Sequence, residues 1–414
     1  MEQKYKTLKF GCYTVNIAMS VVGNLPPLLF LTFRSLYGLS YSLLGLLVLI
    51  NFFTQLLIDL VFSFFSHKFN IAKTVKFTPV LTLTGFLIYA LAPVIFPDSI
   101  YTALALGTVI FSSASGLAEV LISPVIAAIP SDNPDREMSK LHSVYAWGVV
   151  GVILISTVFI LLAGAENWQW LVCIFLAVPI SSIILFSQTE IPEMETPEKV
   201  SGAVSMLKNK GVWLCVGAIF LGGSAECTMA QWASGYLEKA MGIPKLWGDI
   251  FGVAMFAVML GTGRSLYAKI GKNISRVLFF CGVGATLCYL VAAFTSLPLL
   301  GLFACAFTGF CTSMLWPGSL IVASDRVPAG GVFIYALMAA GGDLGASIGP
   351  QLIGIITDTT LKSQSIVSLA HQWGFSPDQL GMKIGMLAGA LFPLIGIFVY
   401  LHIWKTSKIN DKTQ

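Results

Sequence analysis

The sequence predicts an all-α integral membrane protein whose twelve transmembrane helices form two pseudo-symmetric six-helix bundles. Three observations support this fold class. Hydrophobic residues make up 56% of the 414 residues and charged residues only 11%, whereas soluble globular proteins carry about 25% charged residues. Twelve apolar stretches are long enough to cross a bilayer. Basic residues concentrate in every second connection between these stretches.

A bilayer core of about 30 Å needs about 20 helical residues, because a chain in lipid must satisfy its own backbone hydrogen bonds. The predicted spans are residues 8–31, 41–66, 74–96, 100–129, 140–164, 168–188, 211–238, 247–268, 275–296, 298–323, 331–356 and 383–404. The eight cysteines lie singly in apolar stretches without metal-ligand spacing. We therefore interpret them as small apolar residues and predict no metal site.

The basic residues predict the orientation. Nineteen of the 24 lysines and arginines fall on the side that holds the N-terminus and the loops after even-numbered spans. Because such loops face the cytoplasm, both termini are expected there, with the protein in the cell membrane. The net charge of +4 is modest and no long basic run occurs, so nucleic acid is not an expected partner. The expected partners are the bilayer and a small solute, and the protein is expected to be a monomer.

Weak internal repeats divide the chain. Pro124 precedes Ser131-Asp132 at the spacing at which Pro317 precedes Ser324-Asp325, and Tyr145-Ala146 is repeated as Tyr335-Ala336. These repeats occupy matching positions and indicate a duplicated six-helix unit. The predicted domains are an N-terminal bundle, a polar cytoplasmic linker and a C-terminal bundle, at residues 1–188, 189–210 and 211–414.

Twelve spans in two halves, with basic loops after spans two and eight, resemble the major facilitator superfamily. The signature loop of that superfamily is eroded in its first copy, where Asp59 is followed by Ser66-His67-Lys68-Phe69-Asn70. The second copy, Gly263-Arg264 through Lys269-Ile270-Gly271-Lys272, is closer. The resemblance covers essentially the whole chain and implies the major facilitator fold and secondary transport.

Three segments resemble the fucose:proton symporter-like sugar carriers. They are Gly116-Leu117-Ala118-Glu119, Leu141-His142-Ser143-Val144-Tyr145-Ala146-Trp147-Gly148, and Ala225-Glu226 through Trp232 to Tyr236. One position departs from that branch, which carries a proton-linked aspartate in span one. Here the segment reads Asn24-Leu25-Pro26-Pro27-Leu28, without an acid. If protons drive this carrier, another carboxylate must hold them.

Three acids near mid-span are candidates for proton coupling: Glu119, Glu226 and Asp343. Ionisable groups are costly in a bilayer, so they usually face a bundle interior or a wet cavity. A permanently protonated acid that hydrogen-bonds a neighbouring helix is the structural alternative. Asp343 lies in a row of glycines, Gly341, Gly345 and Gly349, whose spacing favours close helix packing.

Span seven offers a predicted ligand face, since Glu226, Gln231, Trp232 and Tyr236 lie on about three turns. Carboxylates and amides hydrogen-bond sugar hydroxyls, and aromatic rings stack on sugar rings. Aromatic residues that face lipid are the alternative. The remaining candidate solute contacts are Glu119, Asn24, Gln55, Tyr145 and Trp316.

The remaining charged residues divide into gate and structural candidates. The predicted cytoplasmic gate comprises Asp59, Lys68, Arg264 and Lys269. Asp249 opens span eight and is expected to be structural. Because every lysine and arginine falls near a helix end, the predicted cavity is neutral to acidic, which suits neutral solutes or cations.

The leading functional hypothesis is a proton-coupled carrier of a monosaccharide that works by alternating access, without a cofactor beyond the proton gradient. Its site would be lined by spans one, four, seven and ten. An exporter of cationic or amphipathic compounds is the alternative, and a non-transporting receptor is a third hypothesis. An enzyme is not expected, because the sequence has no phosphate-cradling loop and no nucleophile-base pair at informative spacing.

Overall fold

The computed structural model describes residues 2–65, 68–130, 134–192, 208–270, 273–327 and 331–413. The helices of the first half are α1 (Glu2–Leu28), α2 (Phe30–Tyr37), α3 (Tyr41–Phe65), α4 (Ile71–Ile95), α5 (Ile100–Ala127), α6 (Pro134–Ala163), α7 (Trp168–Phe175) and α8 (Ala177–Ser187). Those of the second half are α9 (Lys210–Lys239), α10 (Lys245–Gly248), α11 (Met255–Ile270), α12 (Ile274–Phe294), α13 (Pro298–Thr312), α14 (Leu315–Arg326), α15 (Gly331–Lys362), α16 (Gln364–Gln372), α17 (Pro377–Gly389) and α18 (Leu391–Thr413). The predicted all-helical membrane fold is confirmed.

Ten segments in the described part of the chain are long and apolar enough to cross a membrane, and α1 with α2 makes an eleventh if the pair is counted as one span. Helix α15 occupies the window 331–356, the eleventh span predicted from the sequence. It is 32 residues long but is not among these segments, and it carries Asp343, Pro350 and Gln351 beside its glycines.

The first predicted span, 8–31, is longer in the structure and bent. Helices α1 and α2 meet at 46°, directly after Pro26 and Pro27. A proline removes a backbone donor and its ring collides with the carbonyl four residues earlier, so two in succession end α1. Gly38, with φ at 65°, then terminates α2 in the left-handed conformation that glycine adopts without strain.

Spans eight and ten are also composite. Span eight consists of α10, a π-helical turn at Asp249–Ala254, and α11. Span ten is interrupted between Thr312 and Leu315, where α13 gives way to α14. Such irregular turns leave backbone groups outside the regular helical pattern, and proteins frequently place functional groups there.

The last predicted span, 383–404, begins earlier than expected. Ser376 accepts a hydrogen bond from the backbone N–H of Gln379 at 3.1 Å, and Pro377 occupies the first helical turn. Both are typical helix-start signals. Lys383 therefore lies well inside α17, where it is 5% exposed and donates to the backbone carbonyl of Thr295.

The chain forms two compact units. One comprises Met1–Gly38 with Ile50–Val200, and the other comprises Leu39–Leu49 with Ser201–Gln414. The predicted linker, 189–210, falls at the division, although its residues 193–207 lie outside the described part. Helix α3 is shared, because its first turns belong to the second unit and the rest to the first. No pattern in the sequence indicates this division within α3.

The glycine row of α15 packs against α9, as its spacing predicts. A methyl group on Gly345 would lie 2.1 Å from the carbonyl oxygen of Phe220. One on Gly349 would lie 3.0 Å from the carbonyl oxygen of Ser224. The two backbones are thus too close for any side chain between them, which is how small residues stabilise helix pairs in lipid.

Candidate functional site

Glu226 of α9 and Arg264 of α11 form an ion pair in the second unit. The Nη2 atom of Arg264 lies 3.3 Å from Oε1 of Glu226, and the Arg264 Nε donates to the backbone carbonyl of Ser313 at 3.1 Å. The side chain of Glu226 is 14% exposed and that of Arg264 is 45% exposed. The contact joins a residue predicted to bind protons to one predicted to form a gate.

The sequence around Arg264 explains how this arrangement forms. A methyl group on Gly263 would lie 2.2 Å from Oγ of Ser313, so glycine lets α11 approach the interruption between α13 and α14. The carbonyl of Ser313 sits in that interruption and receives the guanidinium. Gly263-Arg264 in the second signature copy therefore joins span eight to the break in span ten.

The predicted placement of every lysine and arginine near a helix end does not exclude a contact between a cation and an interior acid. Arg264 lies six residues before the end of α11 at Ile270, which agrees with its placement near a helix end. Its long side chain nevertheless extends to Glu226 and compensates that charge. A sequence locates the Cα of an arginine but not the reach of its guanidinium. The second unit thus offers a paired acid rather than an isolated one.

The two carboxylate oxygens of Glu226 have different surroundings. Its Oε1 accepts from Arg264, while its Oε2 is buried and has no hydrogen-bond partner among the described residues. The 3.3 Å separation is longer than the 2.7–2.9 Å or so of a strong charge-assisted hydrogen bond, and a single donor is engaged. A proton added at Oε2 would neutralise the carboxylate and weaken its hold on Arg264.

Trp316 and Asp343 occupy the same part of the second unit. The Trp316 ring lies over backbone, since a methyl group on Gly342 would be 2.4 Å from its Cη2 atom. The ring is half-buried and Asp343 is 4% exposed. A methyl group on Gly223 of α9, one turn before Glu226, would lie 2.7 Å from the carbonyl oxygen of Gly342 and 3.0 Å from Cζ3 of Trp316. Spans seven, eight, ten and eleven therefore contribute to one polar neighbourhood.

The residues of the predicted ligand face of span seven do not line a common surface. Trp232 is 2% exposed and donates from Nε1 to the carbonyl of Pro350 at 2.8 Å. Tyr236 is 0% exposed and donates its hydroxyl to the carbonyl of Ala292. Gln231 is buried as well. Trp232 and Tyr236 pack helix interfaces here, because helical spacing does not distinguish a neighbouring helix from a cavity.

In the first unit the structure brings Asp59 of α3 and Glu119 of α5 together. A carboxylate oxygen of one lies within 4.8 Å of a carboxylate oxygen of the other. Asp59 is buried and Glu119 is exposed. Repulsion between neighbouring carboxylates favours a state in which one of them holds a proton or a cation lies between them. Asp59, predicted to be a gate residue, therefore lies beside a predicted proton site.

Asp59 ends a polar row on α3 in which Asn51, Gln55 and Asp59 recur every fourth residue, all buried. Gln55 donates to Oδ1 of Asn51 at 3.2 Å, and Ser112 of α5 donates to the same oxygen at 2.5 Å. The row thus connects the Asp59–Glu119 pair to a hydrogen-bonded interface between α3 and α5. Residues four apart share a helix face.

Asn24 and Tyr145 lie at the interface of α1 with α6. The Asn24 amide donates to the carbonyl of Ser20 at 2.9 Å, and the Ser20 hydroxyl donates to the carbonyl of Tyr145 at the same distance. Asn24 is half-buried, and Tyr145 is 37% exposed. These contacts join the two helices, and the Tyr145 side chain keeps exposed surface.

The other charged candidates lie apart from these acids. Lys68 is exposed and its Nζ lies 5.1 Å from the centre of the Phe65 ring. Lys269 is exposed in the last turn of α11. Asp249 pairs with Lys245, one turn earlier, at 3.2 Å. This contact agrees with a structural role, but its partner is a lysine side chain, and Asp249 lies one turn inside the span that begins at Lys245.

Sequence reasoning missed Ser313, whose carbonyl holds Arg264, and Ser112, which fixes Asn51. Gly263 beside Arg264 was a signal for a close approach of span eight. The recurrence of Asn51, Gln55 and Asp59 every four residues was a signal for one polar face. The interruption at Ser313 has no comparable signal, because no proline or glycine occupies residues 312–315.

One family profile and several solved structures are similar to this chain. The profile of the Major Facilitator Superfamily matches residues 12–350. A comparison with curated proteins finds no match. A bacterial homologue of the human lysosomal transporter Spinster, in an inward-facing and occupied conformation, is similar at a TM-score of 0.71 and 15% identity, over 98% of this chain and 97% of that one.

Two further solved structures are similar over nearly their whole length. The nucleoside transporter NupG has a TM-score of 0.69 and 13% identity, over 98% of this chain and 100% of that one. A D-xylose-proton symporter has a TM-score of 0.67 and 16% identity, over 94% of this chain and 97% of that one. At these identities the similarity establishes a shared fold.

Proposed function

Since the chain belongs to the Major Facilitator Superfamily, we propose that it is a proton-coupled carrier of a small neutral polar solute, namely a monosaccharide. As a member of this family, the chain is a multi-pass integral membrane protein and a secondary transporter, not an enzyme. Its neighbours in fold include carriers whose names specify xylose and nucleosides, so the solute must be argued from this chain's own residues.

The observation that carries the proposal is the ion pair of Glu226 with Arg264. In one state the carboxylate is charged and holds the guanidinium at 3.3 Å. When Oε2, which is buried and has no hydrogen-bond partner in the described part of the chain, takes a proton, the attraction falls and Arg264 is free to move. Proton binding and side-chain rearrangement are then one event, which is what coupling requires.

The Asp59–Glu119 pair supplies a second proton position in the first unit, where the two carboxylates lie within 4.8 Å. One shared proton there removes the repulsion between them. Asp343 is the third candidate, since it is buried on α15 next to Gly342, which lies against Gly223 of α9 one turn before Glu226. These acids replace the span-one aspartate that the sugar-carrier branch carries and this chain lacks.

A neutral solute fits the charge of the site. Glu226 and Arg264 together carry no net charge, so a charged solute would meet no unpaired opposite charge there. The half-buried Trp316 ring provides an aromatic surface of the kind that stacks on sugar rings. Within this proposal the solute contacts are Glu119, Glu226, Gln231, Asn24, Gln55, Tyr145 and Trp316, and the gate comprises Asp59, Lys68, Arg264 and Lys269.

The excess of basic residues on one side supports both termini facing the cytoplasm, in the cell membrane. We keep this orientation and the monomeric state as proposals. Protease accessibility of the C-terminus in sealed, right-side-out cells tests the orientation, because a cytoplasmic C-terminus is cleaved only after the membrane is opened.

The proposal is tested with purified protein in proteoliposomes under an inward proton gradient. Radiolabelled hexoses and pentoses are offered first, with nucleosides and dipeptides as further arms. Accumulation of a sugar that collapses with a protonophore is expected. Glu166→Gln, which alters an exposed acid, should accumulate it like wild type. Transport of other solutes with no sugar accumulated would contradict the monosaccharide assignment.

The exposed acid Glu119, beside Asp59, also favours a second candidate, a proton-driven exporter of cationic compounds. A cation could bind this pair in place of a shared proton. Fluorescent organic cations loaded into the same vesicles decide between the two. Their proton-driven expulsion, lost in Glu119→Gln, would establish export of cations.

A further inference from the structure

Asp358, near the end of α15, caps the start of α3. Its Oδ1 accepts the backbone N–H of Tyr41 at 3.0 Å, and its Oδ2 accepts that of Ser42 at 2.7 Å. The first N–H groups of a helix have no partner within it and carry the positive end of the helix dipole. A carboxylate that uses both oxygens on them makes strong, charge-assisted hydrogen bonds.

The surrounding backbone is shaped to hold this contact. A methyl group on Gly354 would lie 2.4 Å from the carbonyl oxygen of Tyr41, and one on Gly45 would lie 3.1 Å from the Cα of Gln351. Two turns of α3 therefore lie directly against α15. The Tyr41 hydroxyl donates to Asp378 of α17 at 2.8 Å, which adds a third helix.

The segment held in this way is small, and it belongs to a helix that continues elsewhere. Residues 39–49 group with the second unit, whereas α3 from Ile50 onward groups with the first. Its first turn also has a local contact, in which Ser40 Oγ accepts the N–H of Leu43 at 3.2 Å, and the Tyr41 ring lies 5.9 Å from the Trp232 ring of α9. Asp358 thus supplies the charged contact that fastens this short segment to the unit containing α15.

We propose that Asp358 is a releasable clamp that holds the first turns of α3 on α15 in one conformation of the transport cycle and lets them separate in another. The carboxylate positions α3 rather than the solute. Water can replace a carboxylate at a helix start once the segment moves, so release needs no covalent change. The packing of α9 on α15 at Gly345 is of another kind, because the two backbones meet directly and the uncharged Ser224 hydroxyl donates to the Gly345 carbonyl at 3.0 Å. This packing is expected to stay closed.

The titratable groups around Asp358 are consistent with a charged clamp. Burial disfavours its charge, but hydrogen bonds from Ser42, Tyr41 and Ser40 outweigh that effect and hold the pKa of Asp358 below its ordinary value. Asp378 faces the same tyrosine from α17, and Lys362 follows one turn later on α15 itself. Asp358 lies beyond 356, where the predicted span ends.

Hydrogen–deuterium exchange of the detergent-solubilised full chain tests the clamp without any solute, so its failure is separate from failure of the proposed function. In wild type, amides of residues 41–49 should exchange faster than those of residues 343–354 on α15. Asp358→Ala should raise exchange at 41–49 by about tenfold or more, as expected for two lost charge-assisted hydrogen bonds. Thr359→Ala, an exposed neighbour on α15, should leave it unchanged.

Should the alanine variant not fold, Asp358→Asn keeps one acceptor, and a smaller rise at 41–49 is expected. Unchanged exchange at 41–49 in a folded Asp358 variant would overturn the capping role. Exchange at 41–49 no faster than at 343–354 in wild type would overturn release, because the segment would then open only together with the helix that holds it.

Discussion

Removing the ion pair of Glu226 with Arg264 should reveal how strongly the two side chains are coupled. At 3.3 Å and an effective dielectric constant of about 20, two unit charges attract by about 5 kcal/mol before desolvation is counted. Arg264 is 45% exposed, so water screens much of this attraction, and exposed pairs contribute only about 0–1 kcal/mol. Fully buried pairs cost about 3–5 kcal/mol to break. We expect a coupling energy between these limits, about 1–2 kcal/mol.

The assay is a double-mutant cycle with Glu226→Gln, Arg264→Gln and the double variant. The free energy of unfolding is measured in mixed micelles under conditions where unfolding is reversible. Arg264→Gln should be the more destabilising single change at neutral pH, because it leaves a buried carboxylate without its cation. The double variant should be less destabilised than the sum of the singles.

The Lys245–Asp249 pair is the matched control, since it joins two side chains at 3.2 Å in the same unit. Lys245→Gln with Asp249→Asn should lower stability but leave the pH dependence of transport unchanged. A coupling energy under about 0.3 kcal/mol for Glu226 with Arg264, the level expected of independent sites, would refute the reasoning.

Three further predictions rest on the described contacts. Gly345→Ala should lower the free energy of unfolding by about 1–3 kcal/mol, because its methyl group would lie 2.1 Å from a backbone oxygen of α9. Gly217→Ala, whose methyl group would have nothing within 4 Å, should leave the free energy of unfolding unchanged. Equal stability of the two variants would contradict the close packing. Trp232→Phe should lose about 1 kcal/mol with its bond to Pro350 but keep the KM for the solute, and a raised KM with unchanged stability would restore a ligand role. The pKa of Asp358 is lowered in the folded state, so its charge stabilises the fold above about pH 4 and this stabilisation is lost as the pH falls through the folded pKa. The difference in melting temperature between wild type and Asp358→Asn should therefore shrink below about pH 4. A difference that stays constant with pH would contradict this.

The elements that hydropathy encodes directly could be predicted from the sequence. Helix α4 spans Ile71–Ile95 where the sequence predicts 74–96, because a continuous apolar run in lipid has only the helix to satisfy its backbone. The spacing of Gly341, Gly345 and Gly349 likewise predicted close packing, since residues four apart share a helix face. The partner helix, α9, could not be read from that spacing.

The site was less predictable, because it depends on which helix faces meet. Glu119 and Asp59 lie on different helices, and their approach within 4.8 Å needs the relative rotation of α3 and α5. Glu226 could be identified as an interior acid from its position in span seven. That Arg264 would reach it, and that Trp232 would turn to Pro350 instead, depends on side-chain direction, which no single-sequence pattern specifies.

The most direct test of the central claim compares two modes of transport by Glu226→Gln in proteoliposomes, with the labelled sugar that wild type accumulates as the probe. Counterflow exchanges solute without net proton movement, whereas accumulation under an imposed pH gradient requires a proton to be carried. A glutamine keeps the shape of the side chain but holds no transferable proton. If Glu226 couples protons to solute, the variant retains counterflow and loses accumulation driven by the pH gradient. Accumulation equal to that of wild type would contradict the account.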